Sequence, residues 1–208
     1  MRLFLSSQGL GAAPGELVDL LRGRTAIAVI ANGAYLGDLD KRRRRIDSDI
    51  RELRAVGLDP AELDLRDYFG QRERLRSELQ RFDAVWVLGG NGVVLRTAFS
   101  ASGADDIVRD RLADDTLVYA GYSAGACLLG PAFPPWNELA PGELPGYPDQ
   151  FVTTGLDLVP FTVAPHFGSA PAVVDYFIEN HVPFIALRDG EAVVIDGESL
   201  RVVGASTT

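Results

Sequence analysis

One cysteine, Cys127, and two histidines, His166 and His181, are all that the 208 residues hold of those types. A single cysteine cannot close an internal disulfide, so nothing in the composition asks for an oxidising compartment. With so few soft ligands and no close His/Cys pairing, a structural zinc site is not expected, nor is any other metal or cofactor. Basic residues are also short: 20 Lys and Arg stand against 29 Asp and Glu, a formal charge of -9. That balance disfavours nucleic acids and anionic membranes, both of which reward basic patches. Long apolar runs are missing too. The opening MRLFLSS is too short for a signal peptide core, and no stretch is long enough to span a bilayer. A soluble cytoplasmic protein is the default expectation, with homo-oligomerisation left open.

What is present is an ordinary globular mixture, 47% apolar and 24% charged, in a chain long enough to bury one core without staples. Apolar runs alternate with helical spacing. Strands are expected at 2–6, 25–31, 63–67, 84–88 and 116–120, and helices at 14–21, 40–56, 71–79, 92–99 and 105–112. Such alternation, with strands apolar on both faces, argues for a mostly parallel sheet with helices on both sides. After about Phe161 come strand-like FTVAPHF, a helix over 170–179, then PFIALRD, EAVVIDG and SLRVVG. The last two are joined at Gly197-Glu198, which predicts an antiparallel hairpin at the end of the sheet. Residues 131–150 carry six prolines in twenty positions and cannot be regular structure. A long irregular loop there is placed to form a wall or lid. The basic run Lys41 to Arg45 begins an amphipathic helix among several aspartates and reads as a solvated helix face.

The most informative segment is Gly121-Tyr122-Ser123-Ala124-Gly125. A serine between a buried strand and a small-residue helix is a nucleophile elbow, and flanking glycines let the backbone pass close in the sharp turn. A serine hydroxyl needs a base. His166, ending the strand-like Val163-Ala164-Pro165, is favoured over His181, which sits at a helix C-terminus where an imidazolium meets exposed carbonyls. Oxyanion stabilisation needs preorganised N–H donors. The Ala124 amide supplies one, and the Gly89-Gly90-Asn91-Gly92 turn, at Gly90, offers another. Asn91, Trp136 and Asn137 are the expected substrate contacts. Cys127, one helical turn past the elbow, reads as a buried structural thiol.

GGN ending one strand, YAGYSAGA at an elbow and APHF ending a later strand resemble the peptidase E family, the aspartyl dipeptidase group of serine peptidases. A weaker likeness is to cyanophycinases. The resemblance runs over most of the chain and implies a single catalytic domain over 1–208. It also implies a three-layer α/β sandwich like that of class I glutamine amidotransferases, with serine in place of the nucleophilic cysteine. The triad acid of the family follows the nucleophile by fifteen positions in an Asn-Asp pair. Here that pair is Asn137-Glu138, so the resemblance implies a Ser123-His166-Glu138 triad, with Asp157 as the rival acid. The expected activity is hydrolysis of short peptides, dipeptides above all.

In one respect the chain departs from the family. Members that cleave after aspartate resemble one another in an arginine beyond the catalytic histidine, yet Phe167 to Leu187 contains no Arg or Lys. Neutral residues are therefore expected beside the scissile bond, in a pocket lined partly by Phe133 and Trp136, with Arg188 as the competing cation. A small serine esterase and a non-catalytic amidotransferase-like binding domain are the alternatives.

Overall fold

In chain order the elements of the computed structural model are β1 (Arg2–Ser6), α1 (Pro14–Leu21), β2 (Ala26–Ile30), α2 (Leu39–Ala55), β3 (Asp59–Glu62), α3 (Arg72–Leu79), β4 (Ala84–Val87), α4 (Gly92–Ser102), α5 (Ala104–Ala113), β5 (Val118–Tyr122), α6 (Ala124–Cys127), β6 (Thr162–Ala164), α7 (Pro171–Glu179), β7 (Phe184–Ala186), β8 (Ala192–Asp196) and β9 (Ser199–Val203). It describes residues 1–34, 39–132 and 144–204. A seven-stranded sheet runs β3-β2-β4-β5-β1-β8-β9. Its first five strands are parallel, and β8 and β9 are antiparallel to their neighbours.

The two-residue period of a strand divides the core. Phe4, Val29, Trp86 and Ala120 point to one face, where they meet Leu17 and Leu21 of α1 and Ile46 and Leu53 of α2. Leu3, Leu5, Val85, Val87 and Tyr119 point to the other, against α3, α4, α5 and α6. This is the expected three-layer arrangement, and the inner strands β2, β4, β5 and β1 read as apolar runs because neither of their faces meets water. No described helix is long and apolar enough to cross a membrane.

One expectation needed correcting. The strand anticipated at 63–67 lies earlier, at Asp59–Glu62, and Leu65–Tyr68 forms a 3-10 turn. The polar DPAE sequence has little strand propensity, but Pro60 is tolerated at a sheet edge, where its missing N–H has no ladder partner. Asp64 then ends the strand run by accepting the Arg66 N–H at 3.0 Å and capping the turn. Apart from the main sheet, β6 and β7 pair with each other in parallel as a separate two-stranded sheet. With α7 they enclose a small core of Ala164, Val173 and Phe177.

The contact that sets the site is where α6 crosses β4. A Cβ on Gly125 would lie 2.1 Å from the Val87 carbonyl oxygen, so only glycine lets the elbow helix sit this close. Because the opposing atom belongs to a central strand's backbone, it cannot yield as a side chain would. Gly125→Ala is expected to destabilise the fold by about 2 kcal/mol or more, as overpacking against a rigid wall does. Urea unfolding of the purified variant, compared with the parent, measures this.

Candidate active site

Ser123 follows directly on β5 and breaks its extended conformation, with φ 51° and ψ -120°. Few non-glycine residues occupy this region, and such strain persists only where surrounding bonds impose it. Those bonds are present. Ser123 N–H donates to the Ser6 carbonyl of β1 at 3.1 Å, and the Ser123 carbonyl accepts from the Ala126 and Cys127 amides. The backbone is pinned on both sides, and the side chain stands clear of the sheet. Its Oγ lies 3.2 Å from His166 Nε2.

His166 comes two residues after β6, on the small sheet rather than the main one, and has φ 58°. Its amide donates to the Ser7 hydroxyl oxygen at 2.8 Å. Its carbonyl accepts from the Ser169 and Ala170 amides, both at 2.9 Å. On the imidazole, Nδ1 is 2.7 Å from Asp189 Oδ1. A carboxylate there draws the ring proton to Nδ1 and leaves Nε2 free to accept the serine proton.

Sequence reasoning missed Asp189. It sits in a tight turn closed by Glu191 N–H to the Arg188 carbonyl at 3.0 Å and by Arg188 N–H to the Glu191 carboxylate at 2.7 Å. The turn leads into β8, which runs antiparallel to β1 and so starts at the edge where β1 and β5 end. Ser7, fully buried just beyond β1, donates its hydroxyl to the same Asp189 Oδ1 at 2.8 Å. Burial alone would push the Asp189 carboxyl up, but hydrogen bonds from Ser7 and His166, with the imidazolium charge, hold it below the usual value. It is therefore a carboxylate throughout the neutral range.

Glu138, Asn137, Trp136 and Phe133 lie outside the described residues. Asp157, the rival acid, is an exposed residue in a left-handed turn with its amide on the Gly130 carbonyl, and the described site does not include it. Cys127 is buried, with Sγ 3.1 Å from the Val163 carbonyl and its thiol pushed up to about 12 by burial, so it stays a protonated structural group. His181 is exposed beyond α7 and outside this cluster. Among the described residues, no group of three or more His, Cys, Asp or Glu side chains is arranged to hold a metal ion.

The glycine-rich turn after β4 lies against the serine. A Cβ on Gly89 would fall 2.8 Å from Ser123 Cβ, and Gly90 has φ 142°, with a hypothetical Cβ 2.2 Å from the Gly33 carbonyl oxygen. Asn91 caps α4, its side-chain oxygen accepting the Val94 N–H at 3.0 Å. Ala124 opens α6, so its amide belongs to the first helical turn and has no intrahelical acceptor.

Beneath this turn is a polar chain absent from the sequence reading. The basic run is only partly a solvated face. Lys41, Arg43 and Arg44 are exposed, but Arg42 folds onto Glu62 and Asp64, and Arg45 reaches across to the site. Arg45 Nη2 donates to the Gly89 carbonyl and to the Tyr122 hydroxyl, each at 3.2 Å, and Tyr122 in turn donates to Asp49 Oδ2 at 3.2 Å. Asp49, Arg45, Ser48, Glu52 and Gln8 line a cleft of about 480 Å³ beside Tyr122. Asp49 is 6% exposed, and burial pushes its carboxyl up to about 6; the Tyr122 hydrogen bond and Arg45 oppose the shift, whereas Glu52 adds to it. The Trp86 indole N–H also faces it, short of a well-formed hydrogen bond.

A carboxyl raised this way binds its proton more tightly in the folded chain than in the unfolded one. Stability is therefore lost as pH rises from about 4 through about 6, and the charged Asp49 costs about 2–3 kcal/mol above that window. Asp49→Asn should raise stability at pH 8 and confer no gain near pH 4. Thermal unfolding at the two pH values tests this, and an equal shift at both would remove Asp49 ionisation as the cause.

Comparison with known proteins agrees with this architecture. Peptidase E of Streptomyces coelicolor is 30% identical over 134 residues, a match spanning 59% of this chain and only 52% of that protein. The Drosophila melanogaster protein named "Probable alpha-aspartyl dipeptidase" is 26% identical over 204 residues, covering 92% of this chain and 79% of the relative. A crystal structure assigned as a Peptidase E from Listeria monocytogenes EGD-e superposes with a TM-score of 0.75 at 23% identity, covering 99% of this chain and 98% of its own. The model of peptidase family S51 matches residues 39–203, most of the chain and every residue of the cluster except Ser7. This chain belongs to peptidase family S51.

Proposed function

We propose that the protein is a serine-type peptidase acting on short peptides, dipeptides above all, through Ser123, His166 and Asp189. The observation that carries this reading is the unbroken chain from Ser123 Oγ through the imidazole to Asp189, with distances of 3.2 and 2.7 Å. Ser123 attacks the scissile carbonyl while His166 Nε2 takes its proton, and the imidazolium returns that proton to the leaving amine. Asp189 holds the ring and stabilises its charge. In this proposal it takes the place that the family resemblance gave to Glu138. The Gly90 and Ala124 amides receive the oxyanion.

Arg188 bears on specificity. It precedes Asp189, is exposed, and lies over the Phe167 ring at 5.4 Å, beside His166. A guanidinium at the solvent edge remains hydrated and gains little from an ion pair, about 1 kcal/mol or less. An acidic side chain is therefore accepted without being required.

Ser123→Ala and His166→Ala should each lower hydrolysis across a dipeptide library by several orders of magnitude with unchanged thermal stability, because triad members act as a unit. A residual rate above about a tenth of the parent, only ~1.4 kcal/mol of barrier, would remove Ser123 as nucleophile. The acid is tested by Asp189→Asn against Glu138→Gln. The first should cost at least about a hundredfold, since an amide cannot support the imidazolium as a carboxylate does, and the second far less. The reverse order returns the role to Glu138. For specificity, kcat/KM for Asp-Leu and Ala-Leu should differ by less than about a hundredfold, ~2.7 kcal/mol of differential binding. A larger preference for aspartate would place Arg188, or another cation, inside the pocket.

A further inference from the structure

We propose that Arg45 is a positioning residue for the oxyanion site: by holding the Gly89 carbonyl, it orients the Gly90 N–H toward the substrate oxygen at Ser123. The inference rests on the serine-peptidase reading and deepens it.

The need for such a group follows from the turn itself. Two consecutive glycines impose almost no backbone preference, so the direction of the Gly90 N–H must come from outside contacts. The peptide plane following Gly90 is anchored by Asn91 N–H on the Gly33 carbonyl at 2.8 Å. The plane preceding it, which carries the Gly90 N–H, is held at its oxygen end by Arg45 Nη2 at 3.2 Å. A peptide unit is rigid and its C=O and N–H point in opposite directions. Fixing one end therefore fixes the other. With Gly89 packed against Ser123, that plane is already beside the reacting centre.

Arg45 suits the task for two further reasons. Its guanidinium is itself oriented, because the same Nη2 donates to the Tyr122 hydroxyl and Tyr122 is held by Asp49. Tyr122 is the last residue before the nucleophile, so one side chain spans the ends of β4 and β5. A cation on the carbonyl also polarises the amide and strengthens the bond its N–H donates, an effect that favours a developing negative charge.

The test compares the parent with Arg45→Met and Arg45→Lys, using a fluorophosphonate that labels the activated serine and a dipeptide substrate. For Arg45→Met, labelling should reach the parent's stoichiometry, showing the sites are folded, at a rate lower by about tenfold or more. Its kcat should fall by a similar factor while KM moves less than about twofold, because the oxyanion contact is made mainly in the transition state. Arg45→Lys keeps the charge and should recover part of the loss; if the methionine variant does not fold, the lysine variant against the parent carries the comparison. A labelling rate for Arg45→Met within about twofold of the parent, or a loss confined to KM, overturns the proposal. A parent that takes no label defeats the serine-peptidase reading instead, and the two failures are thereby distinguished.

Discussion

The placement of β1 between two neighbours of opposite direction is the constraint on which the site depends. In its register Ser6 stands opposite Tyr122 of parallel β5 on one side and Ala192 of antiparallel β8 on the other. The end of β5 and the start of β8 are thus brought to the same edge. The residue after Tyr122 is Ser123, the proposed nucleophile, and the turn before Ala192 holds Asp189. Ser7, one step past the strand, bridges what remains, donating to Asp189 and accepting from the His166 amide. Slipping that register by one residue would reverse the face of every β1 side chain and part the groups at once.

Around this frame the site is built largely from backbone. The elbow is held out of its preferred conformation by the Ser6 carbonyl and by the first turn of α6, and that turn fits only because nothing projects from Gly125. A buried carboxylate below the site runs against stability at neutral pH, as Asp49 does. Such residues persist where their contacts serve something other than folding, and Asp49 orients Tyr122 and, through it, Arg45.

Much of this was legible in the sequence. Strands covered on both faces show as unbroken apolar runs, so β2 and β4 were found to within a residue at each end, while β5 was placed two residues early. The elbow stood out because a lone serine lay between such a run and a small-residue helix, and His166 because there were so few histidines to choose from. β3 was misplaced since its residues owe their conformation to an edge position, not to their own propensity. Asp189 was hidden among 29 acidic residues, in an Asp-Gly pair that reads as an ordinary turn. Only the return of β8 against β1 makes it a partner of His166. Arg45 was concealed for a similar reason: its neighbours in sequence describe a solvated helix face, while its partners lie 44 and 77 positions away.

The separate small sheet gives the three groups of the proposed triad unequal footing. Ser123 and Asp189 are carried by strands of the main sheet, but His166 is mounted on β6, which pairs with β7 and divides its side chains, Val163 joining the main core and Ala164 a small cluster with Val173 and Phe177. Cooperative units with little buried apolar surface open more readily than the whole. The α7 side of the β6-α7-β7 unit is the part held by the least buried apolar surface, and opening there disturbs the His166 loop, whose carbonyl accepts from the Ser169 and Ala170 amides just before α7, while Ser123 stays in place. Loss of activity on warming would then precede loss of the fold, with the Ser7 hydroxyl as one tether between the two bodies.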